Sequence, residues 1–218
     1  MKKFERIVLS FDLDFTLIDN REGIINSFNY ALEKYRLPKA SKDWIEKMIG
    51  TPLDTMFAEI SELEPLLLTS AFREYYGTKG IYQVKLFSGV REMLEEFKNR
   101  FTLGVITSKK QEMAVKLLRY LEIDEYFDFI LGETKKRKSK TDPKLREYLF
   151  NSFPNHNFVV IGDHPNDRAL AEMLVCPFIG LLSGNHSADQ LKKSGTSKTV
   201  ILHSIKEITT EMIYALFE

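Results

Sequence analysis

Short apolar segments that end in polar side chains recur along this chain, and they constrain its fold more than any other feature. Residues 7–11 are followed at once by Asp12, and residues 158–161 by Gly162 and Asp163. Such a segment is predicted to be a buried β-strand that ends in a polar loop. Further candidates are residues 101–106, 129–131, 178–181 and 199–202. Several are apolar at nearly every position, which is typical of a parallel sheet covered by helices on both faces.

Helical patterns separate these strands from residue 88 onward. Ser88 is the expected N-cap of the first helix in this region, and Pro143 and Pro165 stand where later helices would begin. The alternation of strand and helix predicts an α/β fold in which a doubly wound, mostly parallel sheet forms the core.

The segment between the first strand and this alternation is different, because it shows helical periodicity and no convincing strand. Phe28 lies on one apolar stripe and Trp44 on a second. Two further helices are expected to begin at Pro52, with Thr51 as the N-cap, and at Pro65. We therefore expect two domains. Residues 1–18 and 86–218 would form the α/β core, and residues 19–85 would form an inserted helical bundle.

Composition excludes several classes of protein. The 31 basic and 31 acidic residues give a formal net charge of zero, so nothing favours nucleic acid or an anionic membrane as a partner. Cys176 is the single cysteine, so no intramolecular disulfide can form. No stretch is long enough to span a membrane, and the apolar run at residues 7–9 is too short for a secretory signal, so we expect a cytoplasmic protein.

A basic run at residues 135–140 is the one strongly charged segment. It contains Lys135, Lys136, Arg137, Lys138 and Lys140. A run of this kind is usually a solvated loop and only rarely a nucleic-acid patch. A third interpretation is that one of its lysines turns into an active site.

The strongest chemical signal is the pair Asp12 and Asp14, which directly follows the first strand, with Thr16 two residues later. In an open α/β sheet, ligands bind beyond the carboxyl ends of the strands. Two carboxylates crowded there repel each other unless a cation lies between them. Oxygen ligands with no histidine or cysteine favour a hard ion such as Mg²⁺.

Other polar groups occupy corresponding places later in the chain. Thr107 and Ser108 end the second core strand, and Lys140 stands just before the helix expected at Pro143. Asp163 and Asp167 follow a later strand. Each could be a simple helix cap, but their shared position at strand ends predicts one common site.

With these motifs the chain resembles the haloacid dehalogenase superfamily over nearly its whole length. Asp12-x-Asp14-x-Thr16 matches the first motif of that superfamily, Thr107 the second, Lys140 the third, and Gly162-Asp163-x-x-x-Asp167 the fourth. The inserted helical segment resembles the small helical cap of the superfamily. Stretches at residues 50–53, 87–90 and 180–184 resemble phosphoglycolate-phosphatase-like members.

The resemblance implies a phosphatase that uses Mg²⁺ and acts on a small phosphorylated metabolite. Asp12 would be the nucleophile that forms an aspartyl-phosphate, and Asp14 the general acid and base. Asp12, the backbone carbonyl of Asp14, and Asp163 would hold the metal, with Asp167 supporting it through water or orienting Lys140. The phosphoryl oxygens would be bound by Thr16, Thr107, Ser108 and Lys140, with Lys140 also counted among the catalytic residues.

Two positions depart from the pattern of the family. Phe15 stands where glycine is common, and Thr141 follows Lys140 where proline is frequent. Lys140 is chosen over its basic neighbours by its spacing to Pro143. Neither departure removes a catalytic group, but both bear on which substrate fits.

Alternative functions share parts of this pattern. Asp14 argues against a dehalogenase, since a departing halide needs no proton. A phosphomutase of the β-phosphoglucomutase type uses the same core residues and differs in the cap, where the sequence offers no decisive signature. A receiver domain is shorter and orders its groups differently, and a catalytically silent phosphate-binding protein would not require the intact set of acidic residues. The substrate and the oligomeric state cannot be read from the sequence.

Overall fold

The structure, a computed structural model, describes residues 6–137, 139–192 and 198–218. Lys138 of the basic run and residues 1–5 of the predicted core domain lie outside the described residues. Contacts divide the chain into two compact units. One, here called the core unit, runs up to Ile18 and continues over Leu86–Glu218, and the other, the helical unit, is Asp19–Lys85.

The core unit is built on a parallel sheet, which has six strands in the described part of the chain. In spatial order they are β5 (Phe129–Glu133), β4 (Thr102–Lys110), β1 (Ile7–Phe11), β6 (Asn157–Gly162), β7 (Phe178–Leu181) and β8 (Thr199–Leu202). A separate pair is formed by β2 (Ile18–Asp19) and β3 (Lys85–Leu86). The chain moves outward from β1 to β5 and then returns to the other side of β1. This reversal places a topological switch point beside β1, where ligands of open α/β sheets bind.

Helices alternate with these strands, and the predicted α/β fold is thereby confirmed. The core unit contains α5 (Val90–Phe97), α6 (Gln111–Tyr120), α7 (Pro143–Ser152), α8 (Pro165–Leu174), α9 (Ala188–Lys192) and α10 (Thr210–Ala215). Pro143 and Pro165 are the first residues of their helices, as predicted. Ser88 was wrongly predicted as an N-cap. The cap of α5 is Gly89 at φ 91°, a left-handed conformation that glycine adopts without steric cost.

Apolar side chains of the core strands are buried on both faces, which explains their nearly continuous hydrophobic sequence. Every residue of β1 is buried. Val8 packs on one face in a cluster that includes Leu145 and Leu149 of α7 and Leu170 of α8. Because the central strands are buried on both sides, their polar continuations at the carboxyl edge are the first places where the chain can present chemical groups.

Strand β4 is longer than the sequence indicated. It was expected to end at Ile106, but it continues to Lys110. Its pairing with β5 loses regular register between Ile106 and Lys110, as in a β-bulge. Such an irregularity interrupts the ladder locally and redirects side chains, here those of residues 107–109.

The helical unit consists of four α-helices within its described residues. They are α1 (Arg21–Lys34), α2 (Lys42–Met48), α3 (Leu53–Ile60) and α4 (Pro65–Thr78). Phe28 stacks on Phe57 with ring centroids 4.2 Å apart and also contacts Trp44, so these aromatic side chains form the core of the unit. Pro65 begins α4, as predicted. The start of α3 was wrongly predicted by one residue, because Pro52 is the N-cap and Leu53 the first helical residue.

A helix that crosses a membrane must be long and apolar. Within the described residues, no helix combines the length and the apolar character that crossing a membrane requires.

Candidate active site

Asp12 directly follows β1 and is held there by the sheet. Its N–H donates to the carbonyl of Ile161 at 2.9 Å, which ties the residue to β6. The next residues form a tight turn, because the N–H groups of Leu17 and Ile18 both donate to the carbonyl of Leu13. This turn places Asp12 and Asp14 at the carboxyl edge of the sheet, next to the switch point.

Lys140 binds two carboxylates in the interior of the core unit. Its Nζ lies 2.5 Å from Asp12 Oδ1 and 2.6 Å from Asp167 Oδ1, and all three side chains are buried. Burial alone would lower the pKa of Lys140, but the charges of Asp12 and Asp167 raise it above its ordinary value. The ammonium group therefore stays charged and offsets part of the negative charge around it.

Three carboxylates lie together at this edge of the sheet. Oxygens of Asp12, Asp163 and Asp167 lie within 4.8 Å of one another. Burial and the charges of Asp12 and Asp167 raise the pKa of Asp163 to about 8, so full ionisation of the cluster is unfavourable. A bound cation would remove that repulsion, and a donor set of carboxylate oxygens suits a hard divalent ion.

Small residues make room for this cluster. A Cβ atom at Gly162 would overlap the carboxylate of Asp167, and a Cβ atom at Gly184 would overlap Asp163 Oδ2. The Thr16 hydroxyl donates to Asp163 Oδ1 at 3.1 Å, and the Thr16 side chain has no exposed surface. The contact shown by Thr16 is thus with a candidate metal ligand, whereas the sequence analysis expected a contact with phosphate.

Asp167 has two different contacts, one for each oxygen. Its Oδ2 accepts from the N–H of His164 and so closes a capping box at the start of α8, while its Oδ1 accepts from Lys140. The capping box fixes the carboxylate on a rigid helix end. Asp167 can therefore orient Lys140, which is one of the two roles expected for it.

His164 and His186 flank Asp163 and were not found by the sequence analysis. Their rings meet edge to face with centroids 4.4 Å apart. Burial, followed by the effects of His186 and Lys140, lowers the pKa of His164 to about 4. His164 is consequently neutral near pH 7, and it adds no positive charge to the acidic cluster.

Asp14 is paired with a lysine that the sequence analysis did not identify. Lys109 Nζ lies 3.1 Å from Asp14 Oδ1. Burial raises the pKa of Asp14, the charge of Lys109 opposes that rise, and Asp12 adds to it. A raised pKa makes the carboxyl group a better proton carrier near neutral pH. The sequence signal was weak, because Lys109 is one of many lysines and only its place after Thr107 and Ser108 distinguishes it.

Thr107 and Ser108 lie in the irregular part of β4. Both line the same small cavity as Lys140 and Arg137. Thr107 is buried and its hydroxyl accepts from the N–H of Lys109 at 3.2 Å, whereas Ser108 is exposed. The structure thus brings the hydroxyl groups of β4 close to the lysine that contacts Asp12.

The basic run proves to be heterogeneous in its described residues. Lys135 and Lys136 are exposed, whereas Lys140 is buried at the carboxylates. Arg137 donates to the carbonyl of Gly132 at 2.6 Å and to Gln111 Oε1 at 3.2 Å. These contacts tie the segment that precedes Lys140 to the end of β5.

Comparison with known proteins gives one consistent family. A family model described as haloacid dehalogenase-like hydrolase matches residues 9–181. The phosphoglycolate phosphatase of Photorhabdus laumondii is 28% identical over 197 residues, which cover 85% of this chain and 84% of that protein. The 5'-nucleotidase of Pseudomonas aeruginosa is 30% identical over 188 residues, with coverage of 84% and 85%.

A solved structure agrees with these relatives. The haloacid dehalogenase-like family hydrolase from Streptococcus pneumoniae superimposes with a TM-score of 0.81 at 26% identity. The alignment covers 98% of this chain and 99% of that one. The similarity therefore extends over both units of the chain.

Proposed function

The chain belongs to the haloacid dehalogenase-like hydrolases, and on that basis we propose that it is a Mg²⁺-dependent phosphatase of small phosphate monoesters. The reaction would pass through a phosphoryl group on Asp12. One observation carries this proposal. Lys140 Nζ lies 2.5 Å from the Asp12 carboxylate, within a buried cluster of carboxylates at the carboxyl end of β1. This arrangement supports the roles proposed for Asp12 as the nucleophile, for Lys140 as a phosphate-binding cation and for the carboxylates as metal ligands.

In the first step, an oxygen of Asp12 attacks phosphorus and the bond from phosphorus to the leaving oxygen breaks. Asp14 gives its proton to that oxygen, so the product departs as a neutral alcohol. Burial raises the pKa of Asp14, which supports its holding a proton before the transfer. Lys109, at 3.1 Å, then stabilises the carboxylate that remains.

In the second step, water attacks phosphorus and the bond from phosphorus to Asp12 breaks. Asp14 takes a proton from that water and returns to its starting state, while cleavage of the bond to phosphorus regenerates the Asp12 carboxylate. Inorganic phosphate is released. Atoms and protons therefore balance over the cycle, with Asp14 acting first as acid and then as base.

The metal would be held by Asp12, the backbone carbonyl of Asp14, and Asp163. When bound, Mg²⁺ supplies positive charge that neutralises the phosphoryl oxygens and the crowded carboxylates. The fit rests on the donor set of buried carboxylates, in which burial, followed by repulsion from Asp12 and Asp167, raises the pKa of Asp163. Thr16 would fix Asp163 through its hydroxyl, and Asp167 would orient Lys140.

Binding of the phosphoryl oxygens is assigned to Thr107, Ser108 and Lys140. The helical unit Asp19–Lys85 would be the cap, and its side chains would select the substrate. The names of the relatives suggest phosphoglycolate and nucleoside monophosphates as the first candidates. Both are small phosphorylated metabolites with an alcohol leaving group.

The experiment is phosphate release from a panel that contains phosphoglycolate, a nucleoside 5'-monophosphate, glucose 6-phosphate, pyrophosphate and p-nitrophenyl phosphate, with Mg²⁺ or with EDTA. Asp12→Asn should abolish turnover, because an amide is not a nucleophile toward phosphorus. Asp189→Asn, a change of the same type at an exposed site, should retain it. Residual turnover by Asp12→Asn that is free of deamidation would contradict the assignment. Phosphate transfer between sugar positions without release would favour a phosphomutase.

A further inference from the structure

The loop that follows β7 reaches the loop that follows β1. The Ser183 hydroxyl donates to the backbone carbonyl of Phe15 at 2.5 Å, although the two residues are 168 positions apart. We infer that Ser183 is a positioning residue for Asp14, acting through the peptide bond of Phe15. This inference rests on the proposed function, because it assigns Asp14 a proton-transfer role.

Phe15 has a conformation that needs support from its surroundings. Its φ is 59°, in the left-handed region, where a residue with a side chain is strained. The turn holds one side of the residue, because its N–H donates to the carbonyl of Ile18 at 2.8 Å. Ser183 holds the other side through the carbonyl. Together these contacts fix the peptide that follows Asp14.

The loop that carries Ser183 is itself anchored. Leu182 donates its N–H to the carbonyl of Leu202 at 2.9 Å, which ties the start of the loop to β8. Gly184 lies against the Asp163 carboxylate so closely that a Cβ atom would overlap it. Ser183 is therefore presented from a fixed part of the core unit, next to the candidate metal ligands.

Loss of this hydroxyl should affect Asp14 more than the other groups of the site. The Asp14 carboxylate contacts Lys109, but its backbone depends on the left-handed Phe15 peptide. Without the hydrogen bond from Ser183, the strained Phe15 backbone can relax and turn the Asp14 carboxyl group away from the leaving oxygen. Proton transfer depends steeply on such geometry, whereas attack by Asp12 does not require the Asp14 carboxyl group. Movement of the Asp14 carbonyl, a proposed metal ligand, would weaken Mg²⁺ binding, and the saturating Mg²⁺ of the assay offsets that effect.

The experiment compares two substrates that differ in their need for a proton. The value of kcat/KM is measured at saturating Mg²⁺ for phenyl phosphate, a poor leaving group, and for p-nitrophenyl phosphate, a good one. Complete loss of general acid catalysis lowers the rate by about 10²–10⁴-fold. We expect Ser183→Ala to lower kcat/KM for phenyl phosphate by about 10-fold or more and to lower it much less for p-nitrophenyl phosphate.

A matched pair isolates the hydroxyl group. Threonine and valine have the same shape, so Ser183→Thr should keep the substrate ratio of the wild type and Ser183→Val should shift it as alanine does. In an Asp14→Asn background, Ser183→Ala should leave the ratio unchanged, because the two residues act as a unit. Circular dichroism and urea unfolding establish that each variant is folded.

Three outcomes would overturn the inference. They are equal losses on both substrates, a ratio in Ser183→Val that matches Ser183→Thr, and a further shift of the ratio in the Asp14→Asn background. Failure of the proposed function looks different, since the wild-type protein would then hydrolyse neither aryl phosphate, and the inference would fall with it.

Discussion

Replacing Lys140 with methionine tests the electrostatics of the site through the stability of the fold. Lys140 is buried and its Nζ contacts Asp12 at 2.5 Å and Asp167 at 2.6 Å. Methionine keeps most of the volume of lysine and removes the charge. Removing one partner of a buried ion pair typically costs about 3–5 kcal/mol, because the other partner is left as an uncompensated charge.

The expected loss for Lys140→Met is therefore about 3–5 kcal/mol in the free energy of unfolding when no divalent metal is bound. The loss should be larger at pH 8 than at pH 5, because burial raises the pKa of Asp167 to about 7, so the abandoned Asp167 carboxylate can take up a proton at the lower pH and avoid the charge. In the double variant Lys140→Met with Asp167→Asn, the loss in free energy of unfolding should be smaller than the sum of the losses in the two single variants.

The assay is urea unfolding in EDTA at both pH values. Lys136→Met is the control, since Lys136 lies in the same segment and is exposed, and its effect should stay within about 0.5 kcal/mol. A loss for Lys140→Met as small as that of the control would refute the reasoning. It would mean that the ammonium group contributes no more than its desolvation costs.

Three further predictions concern other groups of the site. Without metal, the free energy of unfolding should fall as the pH rises from about 4 to about 8. The reason is that folding raises the pKa of Asp163 from 3.8 to about 8, so in this range only the folded state keeps the proton. Urea unfolding in EDTA measures the profile; excess Mg²⁺ should oppose the fall, and a flat profile would contradict the prediction. Phe15→Gly should be more stable than Phe15→Ala by about 1 kcal/mol, because only glycine adopts the left-handed conformation without strain; equal unfolding midpoints would count against that account. Asp14→Asn should slow steady-state turnover of an alkyl phosphate by about 10²–10⁴-fold, and a near-normal rate would mean that another group moves the proton.

Much of the site could be predicted because a parallel sheet gathers its strand ends at one edge. Asp12 and Asp163 follow β1 and β6, which are neighbours, so their proximity follows from the strand pattern and the topology. The spacing of Lys140 to the helix at Pro143 singled out the lysine that the structure buries at the carboxylates.

What could not be predicted depends on local departures from regular structure. The position of Lys109 follows from the irregular end of β4, which the apolar pattern does not record because it stops at Ile106. The contact between Ser183 and Phe15 joins two loops that are far apart in the sequence and share no periodic pattern. Phe15 was recognised only as a departure from a common glycine, and its left-handed φ explains why glycine is favoured there.

If the phosphoryl group passes through Asp12, it can be captured on the protein, and this capture tests the proposed function most directly. Asp14→Asn is mixed with p-nitrophenyl phosphate and Mg²⁺, quenched with acid within the first turnover, digested, and analysed by peptide mass spectrometry. The good leaving group lets the first step proceed without a proton donor, while the loss of the base slows the second step. We predict that the peptide containing Asp12 gains the mass of one HPO₃ in step with the burst of p-nitrophenol. A stoichiometric burst with an unmodified Asp12 peptide, or with the phosphoryl group on another residue, would contradict the account.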